Sequence, residues 1–477
     1  MVNRPNILLI VMDSVRARNC SVYGHNNNTT PRLEELSNES TLYTQARSPS
    51  INSIQSHTSI FTGYNVNEHN ISEHNSYINP EENIWQKLKI EHEYNTGIFS
   101  PNAVITEASN LCDVFEKYSG PKRNTQTKIF DSALDPTEMD IETKAEYIHK
   151  SLRSSKPLRS IINGINTKFL ADASSYDPET EVADIYINEF INWVEDNSDH
   201  WAACINLMDA HEPYIPSEQS NYWGSELLES VRQQTAECGT MGYIGGERPW
   251  GEIRAIEPLY DGCIRQIDSA IETLIDKLKS MGEYENTLLV ITSDHGQAFA
   301  EQSRVNSNVR LNGHAYGIHE VLTHIPLIVK RPNQSYEEKI DSISSLAKFP
   351  KVVKDTISGN GTTTFVPDDG VVVASTDRLK PPGDSIPLDK ETRKQYFGPW
   401  RAVYREENGK LFKYIERNGD KAVVQVRDAQ TSFTVERPNT DIVENEFNKM
   451  NSLNIGREKD IDMDKNVEQR LADLGYK

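Results

Sequence analysis

Asn6-Ile-Leu-Leu-Ile-Val-Met-Asp13 is an unbroken apolar run closed by a carboxylate. A run without alternation reads as a strand buried on both faces, as in a parallel sheet. Tyr94 to Ser100, Trp201 to Leu207, Leu288 to Asp294 and Ile325-Pro-Leu-Ile-Val329 are further strand candidates. Thr30-Pro31 between them signals a helix start, with Thr as N-cap and Pro in the first turn. Asp177-Pro178 caps a second helix predicted to run to about Glu195. Ile264, Ile267, Ile271, Leu274, Ile275 and Leu278 recur at helical spacing and make an amphipathic stripe that Gly282 ends. Strands alternating with helices predict an α/β fold, a doubly wound and mostly parallel sheet flanked by helices. Ligands of such sheets gather beyond the C-terminal strand ends, where Asp13 and Asp294 fall.

The pattern changes twice along the chain. Residues 120–176 are polar, rich in Lys, Ser and Thr, and weakly periodic; they read as a surface insertion with some helix. After about residue 335, Trp400 to Arg405, Leu411 to Arg417 and Ala422 to Arg427 read as short strands. Asn408-Gly409 and Asn418-Gly419 separate them, and Asn-Gly is a strong hairpin signal. The expected division is a catalytic domain over 1–335 and a C-terminal subdomain with a small antiparallel sheet over 336–477.

Composition narrows the function. The 477 residues include 71 acidic and 50 basic ones, for a net charge of −21. A surface so acidic repels nucleic-acid phosphates, so no nucleic-acid partner is expected. No apolar run approaches the roughly 20 residues of a membrane span. The early run is too short for a secretory signal core. The five cysteines are far apart with no CxxC pair, which suits reduced thiols in a cytoplasmic protein.

Three segments carry candidate chemistry. Asp13 closes the first strand, and Ser293-Asp294-His295-Gly296 closes another. Carboxylates and an imidazole at neighbouring strand ends can converge on a divalent cation. Each alone is an ordinary strand cap. The third segment, Ser50 to Gly63, crowds hydroxyl residues at a helix start. A hydroxyl beside a metal can lose its proton and attack phosphorus or sulfur.

These segments belong to a longer ordered set. It comprises Pro5 to Asp13, Tyr23-Gly24, Thr30-Pro31-Arg-Leu-Glu, Ser53 to Gly63, and Asn206-Leu-Met-Asp-Ala-His211-Glu-Pro-Tyr214. Tyr260-Asp261 with Asp268, Asn286-Thr287, Ser293 to Gly296, and Gly313-His314 followed by Glu320 and Ile325-Pro326 complete it. The chain thereby resembles the sulfatase family of the alkaline phosphatase-like superfamily over roughly 1–335. The resemblance implies a metal-dependent hydrolase of sulfate or phosphate esters acting on a small anionic ester. Group transfer and a non-catalytic anion-binding descendant are the alternatives.

The resemblance places the nucleophile at Ser53, ten residues before Gly63. Gln55 and His57 stand where the formylglycine motif has Pro and Arg, so the match is to the subgroup with an unmodified Ser or Thr. It further implies one divalent ion held by Asp13, Ser53, Asp294 and His295. Ser14 replaces a second Asp, and His295 replaces an Asn. This donor set suits Mn or Zn slightly better, with Mg and Ca still open. His211 and His314 fall where the family places cationic or acid groups, His314 at a position often held by Lys, and His57 could bind an ester oxygen. In a chain of charge −21 such a site has to be a local positive island.

Overall fold

The computed structural model describes residues 4–72, 76–121, 182–197, 199–359, 364–376, 390–437, 441–453 and 455–458, with single positions between 150 and 160 and at 467 and 471. Its largest sheet has eight strands: β1 (Asn6–Met12), β2 (Thr41–Tyr43), β3 (Asn95–Phe99), β4 (Lys117–Ser119), β5 (Trp201–Leu207), β6 (Thr287–Thr292), β7 (Leu327–Lys330) and β8 (Glu338–Ile340). Their order across the sheet is β8-β2-β7-β6-β1-β5-β3-β4. The five from β6 to β4 are parallel, and β7 runs against both of its neighbours. The sheet is therefore mixed at one side, which the apolar run at Ile325–Val329 does not reveal.

The pleat sorts β1 between two cores. Leu8, Ile10 and Met12 pack in one core with helices α1 (Pro31–Ser37), α4 (Ala183–Glu195), α5 (Glu226–Gly245) and α6 (Glu257–Met281). Ile7, Leu9 and Val11 pack with α2 (Ser53–Thr62), α3 (Ile84–His92) and α7 (Phe349–Ile357) on the opposite face. Two covered faces are why the sequence shows no alternation there. The predicted stripe of α6 is buried along its length, and Gly282 ends the helix at φ 77°. The start proposed for α4 at Asp177-Pro178 and most of the 120–176 insertion lie outside the described residues.

One expectation about α1 is corrected. Pro31 does open the helix, but the Thr30 side chain does not cap it. Asp268 of α6 does so instead, accepting from the backbone N–H groups of Arg32 and Leu33, both at 3.0 Å. Thr30 Oγ1 accepts from Val22 N at 3.2 Å.

Past residue 335 the chain first returns to the large sheet as β8, and α7 packs on it. It then forms a five-stranded antiparallel meander: β9 (Val371–Thr376), β10 (Trp400–Glu407), β11 (Lys410–Arg417), β12 (Asp420–Val426) and β13 (Ser432–Thr434). Asn408-Gly409 and Asn418-Gly419 each have positive φ at both residues. That is the turn geometry for which Asn-Gly is selected between twisted strands.

Candidate active site

Sheet register builds the first half of the site. Val11 of β1 lies beside Thr292 of β6. Asp13 and Asp294 each follow two residues later, so both carboxylates emerge side by side at the same sheet edge. With His295 they present ligand atoms all within 4.8 Å of one another, and all three residues are fully buried. Gly296 permits the sharp exit from the strand. A Cβ there would stand 2.0 Å from the Val321 carbonyl oxygen, so only glycine fits.

Helix α2 brings the second half. Asn52 caps it by accepting from Gln55 N at 3.2 Å, which leaves Ser53 at the first helical position. Its Oγ lies 3.3 Å from His295 Nε2. The positive end of the helix dipole therefore faces the place an anionic group would occupy.

Four histidines surround this point with one shared arrangement. His295 Nδ1 lies 3.0 Å from the Gly296 carbonyl, and His211 Nδ1 lies 2.9 Å from the Glu212 carbonyl. His314 Nδ1 lies 2.9 Å from Gln297 Oε1, and His57 Nδ1 lies 2.9 Å from the Ser53 carbonyl. An amide oxygen can only accept, so each ring carries a proton on Nδ1. The His314 ring stands between the other two, 4.4 Å from His295 and 5.1 Å from His211 between centroids. His57 is set apart, behind Ser53, with Nδ1 3.7 Å from Asp294 Oδ2.

The carboxylates are unequally supported. Asp13 Oδ1 accepts from Ser14 Oγ at 2.9 Å, and Oδ2 accepts from Asn102 Nδ2 at 2.8 Å and Asn206 Nδ2 at 3.3 Å. Burial pushes its pKa up, but His211, His295, His57 and the Asn206 bond outweigh burial and hold it below the usual carboxylate range. Asp294 goes the other way: burial and the neighbouring Asp13 raise it, against His295 and His57. Its Oδ1 accepts from His295 N and Ser14 N, whereas the buried Oδ2 has no hydrogen-bond donor. An orphaned carboxylate oxygen beside a second carboxylate, an imidazole lone pair and a hydroxyl is a donor set that fits a divalent cation.

Asn102 and Asn206 hold Asp13, and Gln297 holds His314, so all three act as positioning groups. Of these, Gln297 had no sequence signal beyond following Gly296. His319 and His324 stay out of the site: His319 Nδ1 caps a short helix by accepting from Val321 N, and His324 Nε2 contacts the Thr44 carbonyl. Burial holds both well below the usual histidine range.

The sulfatase family model matches residues 5–355. The chain belongs to the sulfatase family. As a member of the alkaline phosphatase-like superfamily it is a hydrolase of sulfuric ester bonds. This sulfatase is 22% identical over 393 residues to an N-acetylgalactosamine-6-O-sulfatase of Bacteroides thetaiotaomicron, covering 73% of each chain. Its fold is similar to the phosphonate monoester hydrolase of Agrobacterium radiobacter, with a TM-score of 0.60, 16% identity and 89% of each chain covered. It is also similar to a protein solved with its substrate D-glucosamine-2-N,6-O-disulfate, with a TM-score of 0.57 and 14% identity over 99% of this chain and 98% of that one. Among the described residues no helix is long and apolar enough to cross a membrane.

Proposed function

We propose that this sulfatase cleaves a sulfate or phosphate monoester through an unmodified Ser53 nucleophile, with sulfated carbohydrate as the first substrate class to test. The supporting observation is the placement of Ser53 Oγ, 3.3 Å from His295 Nε2 at the N-terminus of α2. Asp13, Asp294, His295 and Ser53 would hold one divalent ion. When bound, such an ion makes the serine hydroxyl more acidic and draws charge from the ester oxygens.

The residues supply the remaining steps. Ser53 Oγ gives its proton to solvent, from which the histidine acid is later reprotonated, and forms a bond to sulfur or phosphorus in line with the departing alcohol oxygen. His314 or His211 gives that oxygen a proton from Nε2 as its bond to sulfur or phosphorus breaks. Gln297 fixes the His314 ring through Nδ1 during this transfer. Water then attacks the same sulfur or phosphorus, releases the inorganic anion and returns the proton to Ser53. His57, bound to the Ser53 carbonyl, braces the first turn of α2.

The test is turnover of p-nitrophenyl sulfate, p-nitrophenyl phosphate and N-acetylgalactosamine 6-sulfate after reconstitution with Mn, Zn, Mg or Ca. Wild type is expected to turn over at least one, and Ser53→Ala and Asp294→Ala none. Equal rates in all three proteins would sink the assignment. Peptide mass spectrometry reads the state of Ser53 directly, since conversion to formylglycine removes two hydrogens.

A further inference from the structure

His211 and His314 are held by different kinds of oxygen, and one residue reaches both. His211 Nδ1 meets the main-chain carbonyl of Glu212 at 2.9 Å. His314 Nδ1 meets the side-chain oxygen of Gln297 at 2.9 Å. The chain itself fixes which atom a peptide group presents. A side-chain amide presents oxygen or NH2 according to which way it is turned. Turned over, Gln297 would offer an N–H to His314 Nδ1, and a proton on that nitrogen would lose its acceptor. The tautomer of His314 therefore depends on what fixes the amide.

The NH2 end of Gln297 meets two oxygens. Nε2 donates to Glu212 Oε1 at 3.2 Å, and it donates to the Tyr214 hydroxyl. Tyr214 OH in turn donates to the same Glu212 Oε1 at 3.1 Å. A carboxylate only accepts, so Glu212 takes both protons. Tyr214, with its own proton committed, turns a lone pair toward Gln297. Without Glu212 the hydroxyl could give as easily as receive, and either end of the amide would suit it. The Tyr214 ring is buried, with Tyr260 at 5.6 Å and Phe299 at 5.3 Å between centroids, so its oxygen stays in place. Gly313, next to His314, closes on the same group: a Cβ there would stand 3.7 Å from Glu212 Oε1 and 3.6 Å from Gln297 Nε2.

We propose that Glu212 is a positioning residue whose carboxylate fixes the direction of the Gln297 amide and, through it, the tautomer of His314. The kinetic consequence rests on the proposed reaction at Ser53, whereas the tautomer does not. With Nδ1 protonated and given to Gln297, Nε2 is the ring atom that exchanges a proton with the departing oxygen. Glu212 is exposed, and its contact with His211 runs through the main chain. Glu212→Ala therefore cuts the arm to His314 and leaves the His211 contact in place.

The experiment has one arm that needs no turnover. NMR of isotope-labelled histidine nitrogens at pH 8, with His314 assigned by its loss in His314→Gln, reads the protonation of Nδ1 directly. A protonated Nδ1 is expected in wild type and in Tyr214→Phe, where Glu212 still receives the amide. A mixture of tautomers is expected in Glu212→Ala. The second arm compares phenyl with p-nitrophenyl sulfate and phosphate, because a misplaced proton donor costs most when the leaving oxygen is most basic. For Glu212→Ala, kcat is expected to fall about tenfold on the phenyl ester and less than twofold on the p-nitrophenyl ester, with KM held. A merely structural role would lower both esters alike. If no ester is turned over, the reaction at Ser53 fails while a tautomer change in Glu212→Ala still supports the positioning chain. An Nδ1 that stays protonated in Glu212→Ala, or an equal loss on both esters, overturns it.

Discussion

Asp294 and Glu320 are both buried carboxylates, and their surroundings drive them in opposite directions. Glu320 sits between two cations: Arg47 at 3.1 Å and Lys413 at 2.9 Å. Tyr404 OH also donates to it at 3.2 Å. Burial opposes its ionisation, but Lys413 and Arg47 outweigh burial and hold Glu320 well below the usual carboxylate range. Asp294 has a second carboxylate for a neighbour and one oxygen with no donor, and its pKa is raised. The clusters meet at residues 47 and 48: Arg47 belongs to the first, and the Ser48 hydroxyl contacts the Asp294 carbonyl. Glu320 has its cations within the protein, although its Oε2, like Asp294 Oδ2, accepts no hydrogen bond. The Asp294 cluster is short of positive charge, as a site built for a cation must be.

The largest effect follows from breaking the incomplete cluster. Asp294→Asn keeps the shape of the side chain and removes the charge a cation needs. Activity is expected to fall at least about a thousandfold, roughly 4 kcal/mol in the barrier. Divalent ion added to wild type is expected to raise its melting temperature, because a ligand bound only by the folded state stabilises it. The variant is expected to show no such rise. An equal rise in both proteins would place the ion elsewhere.

Breaking the charge-paired cluster has the opposite signature. Glu320→Gln leaves Arg47 and Lys413 buried without their shared counterion. A stability loss of about 3 kcal/mol is expected by chemical unfolding. Lys413 comes from β11 of the small antiparallel sheet, so this pair also ties that sheet to the catalytic half. A loss below about 1 kcal/mol would mean the pair contributes nothing net.

The same contrast marks what the sequence made legible. Strands β1, β5 and β6 and helix α6 announce themselves because their signals are local: apolar runs, a 3.6-residue stripe, a terminal glycine. Asp13, Asp294 and His295 are legible for the same reason, as polar residues at strand ends. The Glu320–Lys413 pair spans 93 positions, and the Asp268 cap on α1 joins α6 to a helix 235 positions earlier. Neither leaves a periodic trace, because each exists only once the layers are stacked. The reversed direction of β7 and the β9 strand were missed on different grounds. Direction is set by sheet assembly, whereas the apolar run Val371 to Thr376 is a local signal that is not among the strand candidates above.

Acid and base titration sharpen the comparison next. Asp268 resembles Asp294 in being raised, to about 7, chiefly by burial, although two backbone N–H groups and the nearby Arg265 and Arg32 oppose that. The unfolded chain releases this proton near the ordinary value of 3.8, and the folded one near 7. The stability it contributes is therefore complete below about 3.8 and lost as pH rises through 7. The slope is about 1.4 kcal/mol per pH unit in between. Asp268→Asn is expected to remove that component. Glu320, lowered instead, contributes stability above the ordinary glutamate range that is lost as pH falls. Unfolding free energies from pH 4.5 to 7.5 decide the matter: parallel curves for wild type and Asp268→Asn would show that Asp268 is ionised throughout.

The smallest effect tests how far the incomplete cluster is held from outside. Asn102 donates to Asp13 Oδ2 at 2.8 Å, and Asn206 donates to the same oxygen at 3.3 Å. Asn102→Ala removes the shorter bond and leaves the longer one. It also frees Val104 N, which donates to Asn102 Oδ1 at 2.9 Å. Outer partners of a metal ligand usually contribute ten- to a hundredfold in affinity. Because Asn206 remains, about tenfold weaker divalent binding is expected, read by titrating melting temperature against ion concentration. The loss of stability without ion should be about 1 kcal/mol, since one bond of each kind is broken and the Asp13 carboxylate keeps Ser14 Oγ. An unchanged affinity would make Asn102 a structural residue. Complete loss of the ion response would show that Asp13 depends on one amide for its orientation, and that Asn206 at 3.3 Å is too distant to replace it.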